Sequence, residues 1–518
     1  MLPFVAKSKL EECISDVTSE GLYGTRTRRD CLVVLWSRAF NTPLLGVASV
    51  HCLSLCFMAR LQVLLLMLLG GIGAVAACQH VSLNDAPPPT PVAATAVLWS
   101  GGVTDTSARV TVRIPSDSAA VQLEVHPAAA PDQARRISGT RSRPFADVHQ
   151  FHLTGLSPAT SYRYAVTVDG VVDSSLTGRT RTVARGPQSF RVALGSCAET
   201  GSRHPVFNAI RAARPDLFLH LGDLHYEDID VPQVGAFGDA YHRVHASPEQ
   251  AALFRSVPLA YVWDDHDYGP NNSSRQAPGQ DAAQQAYRTY VPHYALPADG
   301  PSAPIYQAFT VGRVRFLLTD LRSARTPNDA VDVPTRTMMG ARQRQWFKDE
   351  LAAARDRHPL IVWISSVPWI ANDPDALDRW SGFPDERREL ATYIDSIGVA
   401  DQLVMASGDA HMVAFDDGTN NHYGLPDGGG FPVVHAGALD RRGSVKGGTY
   451  THRPYPNRST LFGDNDGQFV VMDVADDGGD AVCATWTGKR HRYDTNTLVD
   501  LFRYERCFDV PGARDMAP

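Results

Sequence analysis

Long apolar runs are missing from this 518-residue chain. Its greasiest stretch, Leu61–Leu69, is shorter than the roughly 20 residues a bilayer-crossing helix needs, which argues against a multi-span membrane protein. A concentrated basic stripe is missing too. The net charge of −7 is spread along the chain, a poor match to a nucleic-acid backbone and a better one to cations. Nor is the chain short of hydrophobic residues: 43% hydrophobic and 20% charged are ordinary for a folded, water-soluble body. At roughly 100–200 residues per domain, the length predicts two or three units. Cysteine is scarce, with 8 in all. Cys13, Cys31, Cys52 and Cys56 precede Met58, and Cys78 follows the apolar stretch, which leaves Cys197, Cys483 and Cys507 for the folded part.

The N-terminal region reads as targeting sequence rather than fold. Met58-Ala59-Arg60, the apolar run and the small residues Gly70–Ala77 have the charged, greasy and small regions of a secretory signal. Val75-Ala76-Ala77-Cys78 resembles the lipobox of bacterial lipoproteins. That resemblance implies cleavage before Cys78, a lipid on its sulfur, and an exported chain held at the bacterial cell envelope, periplasmic or surface. A plain signal peptide with an incidental cysteine is the alternative. Residues 1–57 lie upstream of this leader (58–78) and show no sustained period, so Met58 is the expected start and low order is expected before it. Residues 79–94, with Pro87-Pro88-Pro89-Thr90-Pro91, read as a semi-rigid tether.

Alternating runs then begin. Ala108–Ile114, Val121–Val125 and Tyr162–Val168, separated by turn residues, predict a small antiparallel β-sandwich over 95–183. Leu156-Ser157-Pro158-Ala159-Thr160-Ser161-Tyr162 resembles a fibronectin type III signature, which implies a Tyr162 ring packed at a corner between the sheets. After Gly186-Pro187 the rhythm becomes strand and helix. Phe190–Leu194, Leu217–Leu221, Leu259–Trp263, Val314–Thr319, Leu360–Ser365 and Leu403–Ser407 are short apolar runs suited to buried strands. Arg342–Arg357 sets polar residues around Trp346, Phe347 and Leu351 as a surface-packed helix would. Strands return at Gln468–Val474 and Ala481–Thr487. The predicted fold class is multidomain, β followed by α/β, with the second domain over 188–510. An oxidising compartment would permit a disulfide between Cys483 and Cys507.

Four buried runs end in polar constellations: Gly195-Ser196-Cys197, Gly222-Asp223-Leu224-His225-Tyr226, Asp264-Asp265-His266-Asp267 and Ser407-Gly408-Asp409-Ala410-His411. In α/β sheets, ligands bind beyond the carboxyl ends of the strands, so the four can meet at one site. Thiolate, phenolate and imidazole suit a transition metal, and clustered carboxylates suit a hard cation such as calcium. A metal pair sharing one carboxylate clamps a phosphoryl group and lowers the pKa of a water.

This succession resembles the alkaline phosphatase D (PhoD-like) family of calcineurin-like metallophosphoesterases over about residues 188–490, and a preceding sandwich is also a family feature. The resemblance implies a layered α/β/β/α sandwich and phosphoester hydrolysis by a metal-bridging hydroxide. It implies that Cys197, Asp223, Tyr226 and His411 hold Fe3+, that Asp223 bridges to a Ca2+ completed by Asp265 and Asp409, and that His266 is catalytic. Asp264, Asp267, Asn271 and Asn272 are candidates for supporting contacts or an extra calcium. Family members often carry an acidic residue where this chain has Asn272, which weakens the case for that calcium. Asp320-Leu321-Arg322 resembles a family element that organises the pocket, and Arg322 is a candidate phosphate contact or salt-bridge partner. His435 reads as a core histidine. Gly428-Gly429-Gly430 lacks the Lys and Ser/Thr of a phosphate-cradling loop. The expected partners are a phosphoester substrate and, through Cys78, a membrane. A non-catalytic, lipid-anchored binding protein with a structural metal site is the rival reading, and hydrolysis of a non-phosphate ester a third.

Overall fold

The computed structural model describes residues 95–330, 336–371, 377–460 and 463–512. The expected leader with Met58 and Cys78, the segment before it and the tether at 79–94 lie outside the described residues. Among the described residues, no helix is long and apolar enough to cross a membrane.

Eight strands form the N-terminal part: β1 (Val97–Gly101), β2 (Ala108–Arg113), β3 (Val121–Pro127), β4 (Arg135–Ser138), β5 (Thr140–Arg141), β6 (Val148–Leu153), β7 (Ser161–Val168) and β8 (Val171–Arg181). Their alternation sends every second side chain inward. Leu98, Val110, Val112 and Phe151 from β1, β2 and β6 meet Leu123, Val125, Tyr164 and Val166 from β3 and β7 in one buried cluster. Tyr162 is buried at its margin, where its hydroxyl accepts a hydrogen bond from the Ser157 N–H at 2.8 Å.

The rest alternates strands and helices: β9 (Phe190–Gly195), α1 (Val206–Ala212), β10 (Leu217–His220), α2 (Val234–Ala246), α3 (Pro248–Ser256), β11 (Leu259–Tyr261), α4 (Asp265–Tyr268) and α5 (Gln280–Tyr290). A second sheet follows from β12 (Gln307–Val311), β13 (Val314–Leu318), α6 (Gly340–Arg355), β14 (Leu360–Ser365), α7 (Pro384–Ser396), β15 (Leu403–Ser407), β16 (Met412–Asp416), β17 (Val433–Ala436) and β18 (His452–Pro456). Finally β19 (Gly467–Ala475), β20 (Ala481–Arg492) and β21 (Thr497–Asp509) return to the first sheet.

The two sheets pack face to face. Phe316, Leu318, Val362 and Ile364 of the second sheet point into the shared core with Val192 and Leu194, while their neighbours Leu317, Ile361 and Trp363 point to the outer cluster with Phe347, Leu351 and Leu390 of α6 and α7. A period of two therefore fills both faces, and the layering is α/β/β/α.

One feature departs from the expectation of a separate sandwich. The first sheet runs β21-β20-β19-β9-β10-β11-β1-β2-β6-β5, so half of the sandwich continues the sheet of the following part through β1 beside β11. The Trp99 Nε1–H donates to Tyr290 O at 2.7 Å and the Gln150 amide donates to Arg288 O at 2.7 Å, so α5 fastens the two parts from one face of the sheet. At the opposite end of the sheet a disulfide joins Cys483 of β20 to Cys507 of β21.

A candidate metal centre at the strand ends

The parallel strands β9, β10 and β11 all end on the same side of the first sheet, and β15 ends on the corresponding side of the second. Cys197, Asp223, Asp265 and Asp409 lie just beyond those four ends. The turns are sharp. Cys197, Asp223, Asp409 and His411 all have positive φ, at 62°, 55°, 57° and 47°, a conformation side-chain-bearing residues rarely adopt. Such outliers persist only where surrounding contacts hold them, and here the contacts are visible. The Cys197 N–H donates to Gly222 O at 3.1 Å and the Ala198 N–H to Asp223 O at 2.9 Å, which locks the β9 and β10 loops together.

The side chains converge. One ligand atom each from Cys197, Asp223 and His411 lie within 4.8 Å of one another, and so do those of Asp223, Asp265 and His266. Asp223 belongs to both groups. The Tyr226 hydroxyl donates to Asp223 Oδ2 at 2.7 Å and lies 3.0 Å from His411 Nε2. His411 Nδ1 is 2.8 Å from Arg442 O, a carbonyl that can only accept, so Nδ1 carries the proton and Nε2 faces the cluster. Asp223 Oδ1, Asp264 Oδ2, Asp265 Oδ1 and Asp409 Oδ2 are buried without a hydrogen-bond partner. Buried, unsatisfied carboxylate oxygens are expensive unless a cation takes them up. With a thiol, a phenol and an imidazole nitrogen beside them, the donor set fits metal ions.

Residues 192–446 match the sequence profile of the PhoD-like phosphatase family. The chain carries a PhoD-like phosphatase domain. Alkaline phosphatase D of Bacillus subtilis (strain 168) is 27% identical over 355 residues, which cover 58% of this chain and 59% of that protein. An uncharacterized protein of Mycobacterium tuberculosis (strain H37Rv) is 26% identical over 252 residues, covering 45% of this chain and 44% of its own length. The chain thus spans about half the length of the curated relatives it matches. In fold, a solved structure titled as that of PhoD superposes with a TM-score of 0.64 at 17% identity, over 80% of this chain and 92% of that one.

Within the PhoD-like domain the remaining sequence candidates separate into distinct positions. Asp267 does not face the cluster. Its carboxylate accepts from the N–H groups of Asp223 at 2.6 Å, Leu224 at 2.7 Å, His225 at 3.2 Å and Asp264 at 3.0 Å, so it shapes the loop that presents Asp223. Asp264 caps α4 and its Oδ1 accepts from Arg322 Nε at 2.6 Å and Ser366 Oγ at 2.8 Å. Arg322 is fully buried and also pairs with Asp378 at 2.8 Å, which leaves no exposed fork for a phosphate. Its Nη2 is 3.6 Å from Asp265 Oδ1, too far to satisfy that oxygen. The Asn272 N–H donates to Asp265 Oδ2 at 2.7 Å, and the Asn272 amide, correctly oriented, accepts from Asn271 Nδ2 at 2.7 Å. His435 is buried in β17, 3.1 Å from the Tyr450 hydroxyl, as a core histidine would be.

Several neighbours were not anticipated. His266 Nδ1 lies 2.6 Å from Asp228 Oδ1, and its ring packs on that of Tyr226 with centroids 4.1 Å apart. Arg441 covers the Tyr226 ring at 3.9 Å. Lys446 pairs with Asp409 Oδ1. Asp228 sits five residues beyond Asp223, close enough for a sequence signal; Arg441 and Lys446 come from a distant glycine-flanked loop and carry none.

Electrostatics follow from burial and crowding. Burial and the Asp265 charge push Asp223 up to about 8. Burial and the Asp223 charge likewise drive the Cys197 thiol well up, and burial does the same for the Tyr226 phenol. Burial would raise Asp265, yet Arg322, His266 and the Asn272 N–H together hold it below the usual carboxylate range. For His266, burial lowers the pKa but the Asp228 hydrogen bond and the charges of Asp223 and Asp265 outweigh it, raising it to about 10. Cation binding to Cys197, Asp223 and Tyr226 must therefore release protons.

Proposed function

We propose that this chain is a metal-dependent phosphoesterase that hydrolyses phosphomonoesters or phosphodiesters. The observation that carries the reading is Asp223, buried and shared between a group with the Cys197 thiol and His411 and a group with Asp265 and His266, with the Tyr226 phenol 3.0 Å from His411 Nε2. Cys197, Asp223, Tyr226 and His411 would hold Fe3+; Asp223, Asp265 and Asp409 would hold Ca2+. The soft thiolate and imidazole support the first assignment, and the all-carboxylate set supports the second. When bound, the metals supply Lewis acidity toward a water and the phosphoryl oxygens.

The chain's own residues do the rest. Asp228 fixes one nitrogen of His266, so the proton on the other can be given to a phosphoryl oxygen or to the departing alcohol oxygen. The Tyr226 ring packs against His266 and restricts its rotation, and the Arg441 guanidinium covers that Tyr226 ring. The Arg442 carbonyl orients His411, as outer partners of metal-binding histidines commonly do.

An exported, envelope-held protein with a lipid on Cys78 completes the proposal. Its support is the succession from Met58 to Cys78 in sequence and the Cys483–Cys507 disulfide, a bond at home in oxidising compartments.

The test is phosphate release from a panel of mono- and diesters by the chain from residue 79 onward, with iron and calcium quantified. Release that Asp223→Asn abolishes together with bound metal is the expected result. No release from metal-loaded protein on any ester would overturn the phosphoesterase reading in favour of a binding protein or another esterase.

A further inference from the structure

The outer face of the sandwich carries a row of cations that its own neighbours do not neutralise. In strand register Arg163 of β7 lies opposite Arg179 of β8. Like charges directly opposed across strands destabilise a sheet. Facing this row across a cavity of about 840 Å³ stand Arg211 and Arg255, from the last turns of α1 and α3. Helix C-termini favour cations, which accounts for that second pair but not for the row.

The surroundings do not offset the charge. Among the described residues Glu124 is the one carboxylate lining the cavity, and its side chain is paired with Arg136 at 3.2 Å. Arg179 Nε donates to Ser256 O at 2.9 Å and Arg255 Nη1 to Ser175 O at 3.0 Å, so the walls are pinned by neutral carbonyls. Arg211 donates to the Asn208 amide oxygen at 3.1 Å, again neutral. Arg163 has no hydrogen bond or ion pair from its guanidinium among the described residues. Four guanidiniums thus line one cleft without a free carboxylate.

The cleft is not part of the metal centre. α1 leads into the start of β10 and α3 into the start of β11, whereas Asp223 and Asp265 follow the ends of those strands. Arg211 and Arg255 therefore stand at the opposite edge of the sheet.

We propose that this cleft binds a linear anion carrying several phosphoryl groups. Guanidinium forks match phosphoryl oxygens two at a time, their spread over two walls suits more than one such group, and the cavity lies within the roughly 300–1,000 Å³ usual for small-molecule sites. Because the arginines are largely exposed, binding weakens as salt rises.

Calorimetric titration of the metal-loaded full chain with tripolyphosphate at low ionic strength, beside orthophosphate, tests this. Expected are saturable tripolyphosphate binding, at least tenfold tighter than orthophosphate, at least tenfold weaker in an Arg163→Glu/Arg179→Glu double variant, and a ligand-induced rise in melting temperature that the variant loses. The variant's own melting temperature without ligand is its reference, because two carboxylates opposed across the strands repel each other as the two guanidiniums do. If it does not fold, the Arg163→Gln/Arg179→Gln pair replaces it, with at least a threefold loss expected. Absence of binding by the parent, equal affinity for the two anions, or variant affinity within twofold of the parent would each overturn the proposal.

Discussion

The two halves of the metal centre are braced in different ways. The half built on β9, β10 and β11 braces itself: Asp267, two residues from Asp265, gathers four backbone N–H groups and holds the Asp223 loop from within. The half after β15 is held from far away. Asp409 pairs with Lys446, the His411 ring leans on Arg442 O, and the His411 carbonyl accepts from the N–H groups of Ser444 at 3.4 Å and Asn457 at 3.1 Å. A local brace travels with its motif, whereas a distant one must be assembled by the fold.

The largest expected effect lies in the self-braced half. His266→Ala should lower turnover roughly 10²–10⁴-fold, about 3–5 kcal/mol, with both metals retained by elemental analysis. Loss of metal along with activity would make His266 part of the brace instead.

Acid sensitivity should also divide between the sheets. Burial lowers His220 on β10, His245 on α2 and His435 on β17 to about 3, well below an unfolded histidine near 6.5. Their neutral, buried state therefore adds stability above about pH 6.5 that is lost as pH falls toward the folded values, because the unfolded chain takes up the protons. The first-sheet pair should contribute roughly 3 kcal/mol per pH unit and His435 roughly half as much. Other buried histidines, among them His242 lowered to about 3, share this dependence, so denaturant midpoints between pH 7 and 5 should show a slightly shallower slope in His435→Gln; an unchanged slope would mean that His435 is charged in the fold.

Asp267→Asn should weaken metal retention about 10–100-fold, the range for groups that support a ligand. Smallest of all, Ser444→Ala removes the hydroxyl that donates to Ala410 O at 3.0 Å and should cost about 1 kcal/mol in thermal unfolding. If Ser444→Ala proved as damaging to metal retention as Asp267→Asn, the distinction between local and distant bracing would fall.

The same distinction explains what could be read from the chain alone. Buried strands and their polar ends were legible because apolar run and ligand are contiguous, as in Leu403–Ser407 followed by Asp409 and His411. Arg322 could be noticed but not placed: only the fold brings Asp264 and Asp378 to its guanidinium and removes it from solvent. Asp378, Arg441 and Lys446 gave no signal, since each meets the centre from a loop far along the chain. The junction of β1 with β11 was equally hidden, resting on a single register pair, Gly101 with Leu259.

That junction leaves the ten-stranded sheet with only two outer borders. One is β5, two residues long. The other is β21, whose solvent side presents Arg503, Glu505 and Asp509, and whose Cys507 sulfur is already bonded to Cys483. Short or charged borders make poor templates for another strand, so a sheet this wide can exist in a concentrated compartment without recruiting its neighbours into fibres.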